Sequence, residues 1–150
     1  MRVASNRNYT AWEGKIPVGW RYTAGLAGQE FLQALKDRGE ILGSRCERCE
    51  KVYVPASIFC ERCFAELNKH EPVKSEGEVV TFAICHRDLE GNPLDPPRVA
   101  AAVRLDGATS VLVHNGLGDP AKWKIGARAK VKLAANRTGS ILDIEGFELV

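Results

Sequence analysis

A chain of 150 residues can bury about 68–70% of the surface its unfolded form exposes, enough for a core without disulfide staples. Its formal net charge of +2 is too small to imply a nucleic-acid or membrane partner by itself. The opening residues, Met1-Arg2-Val3-Ala4-Ser5-Asn6, lack the apolar region of a signal peptide, and no apolar run approaches the ~20 residues of a membrane helix. With cysteines that read as metal ligands, these features predict a cytoplasmic protein.

Residues 1–27 show no helical or strand period, yet they hold Tyr9, Trp12, Trp20 and Tyr22. A disordered tail would be poor in such residues. The arm therefore either folds back on its own domain or anchors on another subunit, with Trp12, Trp20 and Tyr22 as the partner-binding residues. Residues 28–38 read as a short helix. Phe31 and Leu35 lie four apart, as do Gly28 and Leu32, and Gly39 stands ready as the C-terminal stop.

The next stretch carries the strongest signal in the chain. Cys46-Glu47-Arg48-Cys49 and Cys60-Glu61-Arg62-Cys63 are two Cys-x-x-Cys turns with ten residues between them. Two such turns face to face place four thiolates at the corners of a tetrahedron, the geometry of a closed structural zinc site. A redox motif would use one pair and leave the other unexplained. Four thiolates alone do not choose between zinc and iron. The spacing favours one structural Zn²⁺ on Cys46, Cys49, Cys60 and Cys63, with no open position for catalysis. Between the pairs, Val52-Tyr53-Val54-Pro55 reads as a short strand ended by proline.

The polar segment 68–76 contains Pro72 and reads as a connection between modules. Beyond Gly77 the pattern turns to strands, predicted over 78–87, 98–105, 110–115, 128–135 and 141–149 and separated by Gly-, Pro- and Asn-rich turns. Val99, Ala101, Val103 and Leu105 share one face; Ala129, Val131 and Leu133 oppose Arg128, Lys130 and Lys132. The first strand is apolar on both faces, as a central, covered strand would be. The expected fold is mainly β with a short N-terminal helix: a Cys₄ zinc ribbon followed by a five-stranded OB-fold barrel. The expected domains are an arm over 1–27, helix plus ribbon over 28–67, and barrel over 68–150.

This order of parts resembles one family. A short helix, a double Cys-x-x-Cys ribbon with Tyr53-Val54-Pro55 inside it, and a Gly77-Glu78-Val79-Val80 strand opening a barrel are similar to the zinc-ribbon/OB-fold acyl-CoA-associated family. The long aromatic arm resembles that of the small subunits of benzoylsuccinyl-CoA thiolases. The resemblance implies a non-catalytic accessory subunit, paired with a thiolase-like or related acyl-CoA enzyme, that helps to present the CoA thioester. It also implies Cys46, Cys49, Cys60 and Cys63 as the metal ligands. One departure is visible: many zinc turns place Gly after the second cysteine, and here Glu50 and Phe64 stand there.

Two other functions compete. The basic row Arg128, Lys130 and Lys132, with Arg98 and Arg104, suits an OB-fold that binds single-stranded nucleic acid, provided Phe82, Trp123 or Phe147 is exposed for base stacking. The alternative for the row is a solvated exterior, which the low net charge favours. An independent enzyme would need Cys85 and His86 as its reacting pair. Adjacent residues of a strand point to opposite faces, so they cannot make the required hydrogen bond. No paired carboxylates, phosphate loop or nucleophile elbow accompanies them.

Overall fold

The computed structural model describes residues 14, 15 and 17–150. Helix α1 spans Gly25–Arg38. It starts three residues before the predicted position. Ala24 occupies the N-cap without a side-chain hydrogen bond, so no capping residue marks the start in sequence. The end lies where expected. Gly39 adopts φ 68° and returns its N–H to Ala34 and Leu35, and basic Lys36 and Arg38 fill the last turn. Ala27, Phe31, Ala34 and Leu35 form the buried face. Full burial of a side chain such as Phe31 or Leu35 contributes about 1.5–3 kcal/mol.

Three short strands follow in a sheet of order β2-β1-β3: β1 over Ile41–Cys46, β2 over Lys51–Tyr53 and β3 over His70–Val73. The segment read as a connection thus supplies the third strand of the ribbon. Its sequence, His70-Glu71-Pro72-Val73, carries no apolar alternation, and Pro72 argued against a strand. An edge strand tolerates both, because one side of its backbone needs no partner.

The barrel is closed, in the order β4-β5-β6-β8-β7. Its strands are β4 over Glu76–Arg87, β5 over Pro93–Leu105, β6 over Leu112–Gly116, β7 over Arg128–Leu133 and β8 over Ile144–Leu149. Five strands were expected, and five form the OB-fold. Val99, Ala101, Val103 and Leu105 point inward, as do Ala129 and Val131. Residues 141–143, read as strand, instead make a 3-10 turn capped by Ser140 and Asp143. β5 begins at Pro93, well before the predicted start, and carries Pro96 and Pro97 along a stretch that needs few donors.

β4 corrects one expectation. It is covered at Gly77 and Val79, but Thr81, Ala83 and Ile84 are exposed. Its outer half leaves the barrel as a hairpin with β5, so apolar residues on both faces did not mean cover on both faces.

The seam between β6 and β8 is a parallel contact at Gly116↔Phe147. It is tight. A Cβ on Gly116 would lie 2.5 Å from the Trp123 ring and 2.7 Å from Val99. Trp123 and Phe147 are buried inside, where Phe82 packs near Trp123 with ring centroids 6.3 Å apart. The helix, the base of the ribbon and the barrel share one apolar core: Phe31, Leu35, Ile41 and Val54 belong to the same cluster as Val103 and Phe147.

Candidate metal centre

The ribbon tip has little else to hold it. Its buried cluster is Cys46, Tyr53, Cys60 and Leu67, with Cys49, Cys63 and Ala65 packed alongside. β1 delivers Cys46 into the first turn, and β2 leads away from it. The second turn is closed by Phe64 N–H donating to the Cys60 carbonyl at 2.9 Å and Cys60 N–H donating to the Ala65 carbonyl at 2.9 Å. Glu50 and Phe64, standing where glycine is common, adopt the left-handed conformation at φ 54° and 57°. The turn geometry is therefore kept, at a cost of about 1–2 kcal/mol for each residue with a Cβ.

The four sulfurs lie within 4.8 Å of one another. Cys46 Sγ and Cys63 Sγ are 3.6 Å apart. Zn–S bonds of about 2.3 Å in a tetrahedron require S···S separations near 3.8 Å, so the donor set is positioned to hold a metal ion. No disulfide links any of the five cysteines. Cys46 and Cys60 are fully buried, Cys49 and Cys63 half-buried.

The protonation pattern shows the strain of crowding thiols together. Hydrogen bonding to Cys63, then burial, pushes the Cys49 thiol up to about 12. Burial is the largest effect that raises Cys46. Cys60 moves the other way, to about 6, chiefly because the Tyr53 hydroxyl lies 3.3 Å from its sulfur. Four neighbouring thiolates are not tolerated without a cation, and a divalent ion supplies one. Tyr53 was read only as a strand residue. Its hydrogen bond with Cys60 depends on the β2 register, which two Cys-x-x-Cys turns do not reveal.

Of the nearby cations, Arg45 pairs with Glu71 and Lys69 with Glu47, while Arg48, Lys51 and Arg62 make no ion pair among the described residues. A second feature missed in sequence joins ribbon to barrel. Thr109 and Ser110, in the β5–β6 connection, bond through their hydroxyls to both backbone groups of Val52 and of Val54.

Trp12 lies outside the described residues. Trp20 and Tyr22 are 72% and 88% exposed and neither packs into the core. The basic row is largely neutralised by neighbours. Arg128 makes a two-pronged contact with Asp106, Lys132 pairs with Glu148 and Glu145, and Arg104 pairs with Glu78. Trp123 and Phe147 are buried, and Phe82 is half-buried with its ring against Trp123, so none of the three is an open platform for base stacking. Cys85 is half-buried and His86 exposed on successive positions of β4. No helix among the described residues is long and apolar enough to cross a membrane.

Known proteins match both halves of this arrangement. Residues 34–68 match the ChsH2 rubredoxin-like zinc ribbon domain, and residues 70–134 match the ChsH2 C-terminal OB-fold domain. The chain belongs to the zinc-ribbon/OB-fold family. A crystal structure from Sulfolobus solfataricus, described as a DUF35-family protein of unknown function, superimposes with a TM-score of 0.64. It is 29% identical, and the match covers 83% of this chain and 84% of that one. A structure described as the Ltp2-ChsH2(DUF35) aldolase shares the fold at a TM-score of 0.57 and 22% identity, over 80% of this chain and 90% of that one. A DUF35 domain-containing scaffold protein of Methanocaldococcus jannaschii is 27% identical over 73 residues. That match takes in 48% of this chain and 52% of the relative, about half of its length.

Proposed function

We propose that this member of the zinc-ribbon/OB-fold family is a non-catalytic accessory subunit of an acyl-CoA-processing enzyme, thiolase-like or of a related class. In this reading one Zn²⁺ per chain, held by Cys46, Cys49, Cys60 and Cys63, fixes the ribbon. A closed Cys₄ site keeps no position for water, so the metal supports structure and does no hydrolysis. The partner subunit supplies the reacting groups in a hetero-oligomer, and the two together present the CoA thioester in the cytoplasm.

The observation that carries this reading is the uninterrupted order of two ChsH2 domains, ribbon then barrel, in a fold that a solved aldolase carries as ChsH2 beside Ltp2. The scaffold description of the archaeal relative supports the same role. The exposed Trp20 and Tyr22 support an arm that reaches the partner, and Trp12 belongs to the same arm by sequence.

Purification of a tagged chain from its native source tests the reading. An acyl-CoA enzyme subunit should co-purify, and its activity should fall when the chain is removed. Trp20→Ala with Tyr22→Ala should weaken assembly while leaving metal content unchanged. Acyl-CoA turnover by the isolated chain, well above background, would overturn the proposal.

A further inference from the structure

The β4–β5 hairpin has two unlike edges. On the β5 side, Pro93, Pro96 and Pro97 precede the start of pairing with β6 at Val99. Prolines blunt an edge against strand addition because they offer no donor. On the β4 side, pairing with β7 ends at Glu78. Val79 then exchanges two backbone bonds with Ala127 and Gly126, at 2.9 and 2.8 Å. From Val80 to Arg87 this side of β4 has no backbone partner among the described residues. The stretch holds no proline and no lysine, and only Arg87, at its end, carries a full charge.

The register shows which groups face outward. Glu76 turns its carbonyl to β5, and Val79 turns away from it. The slip between Val79 and Thr81 reverses this alternation, as a bulge does. Phe82 and Ile84 therefore direct their N–H and C=O to the open side.

We infer that this edge joins two copies of the chain, β4 adding antiparallel to β4 of a second copy across a two-fold axis at Ile84. In that register Ile84 exchanges both backbone bonds with Ile84 of the second copy, and Phe82 lies opposite His86. Each Arg87 falls opposite Thr81, so no like charges meet. The same register carries the hairpin tip of each copy onto the 124–127 loop of the other. Leu89, fully exposed, then meets Ile125, which is 69% exposed. Glu90 meets Lys124, which pairs with no carboxylate among the described residues. Two isolated exposed apolar residues and two unpaired opposite charges thus find partners in one symmetric contact. The surface is small, which places the dimer in the weak, reversible class. This contact is separate from the arm proposed to meet the enzyme subunit.

Sedimentation equilibrium on the metal-loaded chain tests the inference. The mass should double with rising concentration. Ile84→Pro removes an N–H that no strand of the same chain uses and should abolish the dimer. Ile125→Asp, which leaves the strand untouched, should do the same, and both variants should keep the native circular dichroism spectrum. Glu90→Lys should weaken association, and adding Lys124→Glu should restore it. Ala83→Cys stands opposite Cys85 of the second copy in this register. With diamide, which takes up the two thiol hydrogens, it should give a covalent dimer, whereas Thr81→Cys should not. A chain that stays monomeric at high micromolar concentration would overturn the inference, as would a dimer indifferent to Ile84→Pro and Ile125→Asp together. Protection of the Phe82 and Ile84 amides only on binding the enzyme subunit would assign the edge to that subunit instead.

Discussion

Ser110 Oγ accepts the Val54 N–H at 2.7 Å and donates back to the Val54 carbonyl at 3.1 Å, so one hydroxyl substitutes for a neighbouring strand. Thr109 serves Val52 in the same way, at 2.9 and 3.0 Å. Thr109→Val with Ser110→Ala strips the partner from two half-buried N–H groups, at an expected cost of about 1–3 kcal/mol for each. Urea unfolding measures the loss. Amide exchange locates it: Val52 and Val54 should exchange faster while Val99–Val103 stay protected. An unchanged midpoint would mean that water replaces both hydroxyls without penalty.

The Tyr53 hydroxyl lies 3.3 Å from the Cys60 sulfur, where it would orient a metal-bound thiolate and offset its charge. Partners of this kind tune metal affinity by about 10–100-fold. Tyr53→Phe should therefore bind metal with unchanged stoichiometry but lower affinity in chelator competition. Cys60→Ser removes a ligand outright and should leave the metal content far below one per chain. Stripping the metal should unprotect the ribbon tip and spare the barrel, whose core holds none of the four ligands. Equal affinity of Tyr53→Phe and the native chain would assign the hydroxyl no role at the metal.

Glu50 and Phe64 hold left-handed backbone that glycine adopts freely. Phe64 is 78% exposed, so its replacement forfeits little burial in the isolated chain. Glu50→Gly and Phe64→Gly should each raise the stability of the metal-loaded ribbon, by up to about 1 kcal/mol. Glu50→Val should lower it. Thermal unfolding followed at the ribbon reports both, and a loss with glycine would show that side-chain contacts outweigh the backbone strain.

Asp143 is 3% exposed. Burial pushes its carboxyl upward, but the backbone N–H groups of Thr138, Gly139 and Ser140 outweigh burial and hold it below the ordinary aspartate range. A depressed carboxylate stabilises the fold fully above the unfolded pKa of about 3.9, and the contribution fades as pH falls through the folded value. Asp143→Asn should therefore be less stable at neutral pH, and its difference from the native chain should close only in strong acid. A difference independent of pH would mean that the hydrogen bonds matter and the charge does not.

Much of this was legible because the signals are local. Two Cys-x-x-Cys turns name by spacing the four sulfurs that the fold gathers, and Gly39 ends the helix by its own conformational freedom. The inward row Val99, Ala101, Val103 and Leu105 reads directly as a barrel strand. What escaped depends on contacts distant in sequence. β3 is a strand because β1 offers it an edge, despite Pro72. Tyr53 touches Cys60 because β2 and the second turn fold onto each other. The Thr109 and Ser110 hydroxyls reach back more than fifty residues. The misreading of β4 has the same origin, since apolar residues on two faces do not say where the covering layers stop.

The Gly116 seam has a consequence for cargo. Where β6 meets β8 there is no room for even one added methyl group, and Trp123 and Phe147 plug the space within. The barrel has no lumen to lend. In the proposed role, a thioester would rest against outer walls, shared with the partner subunit, and would arrive and leave without the barrel ever opening.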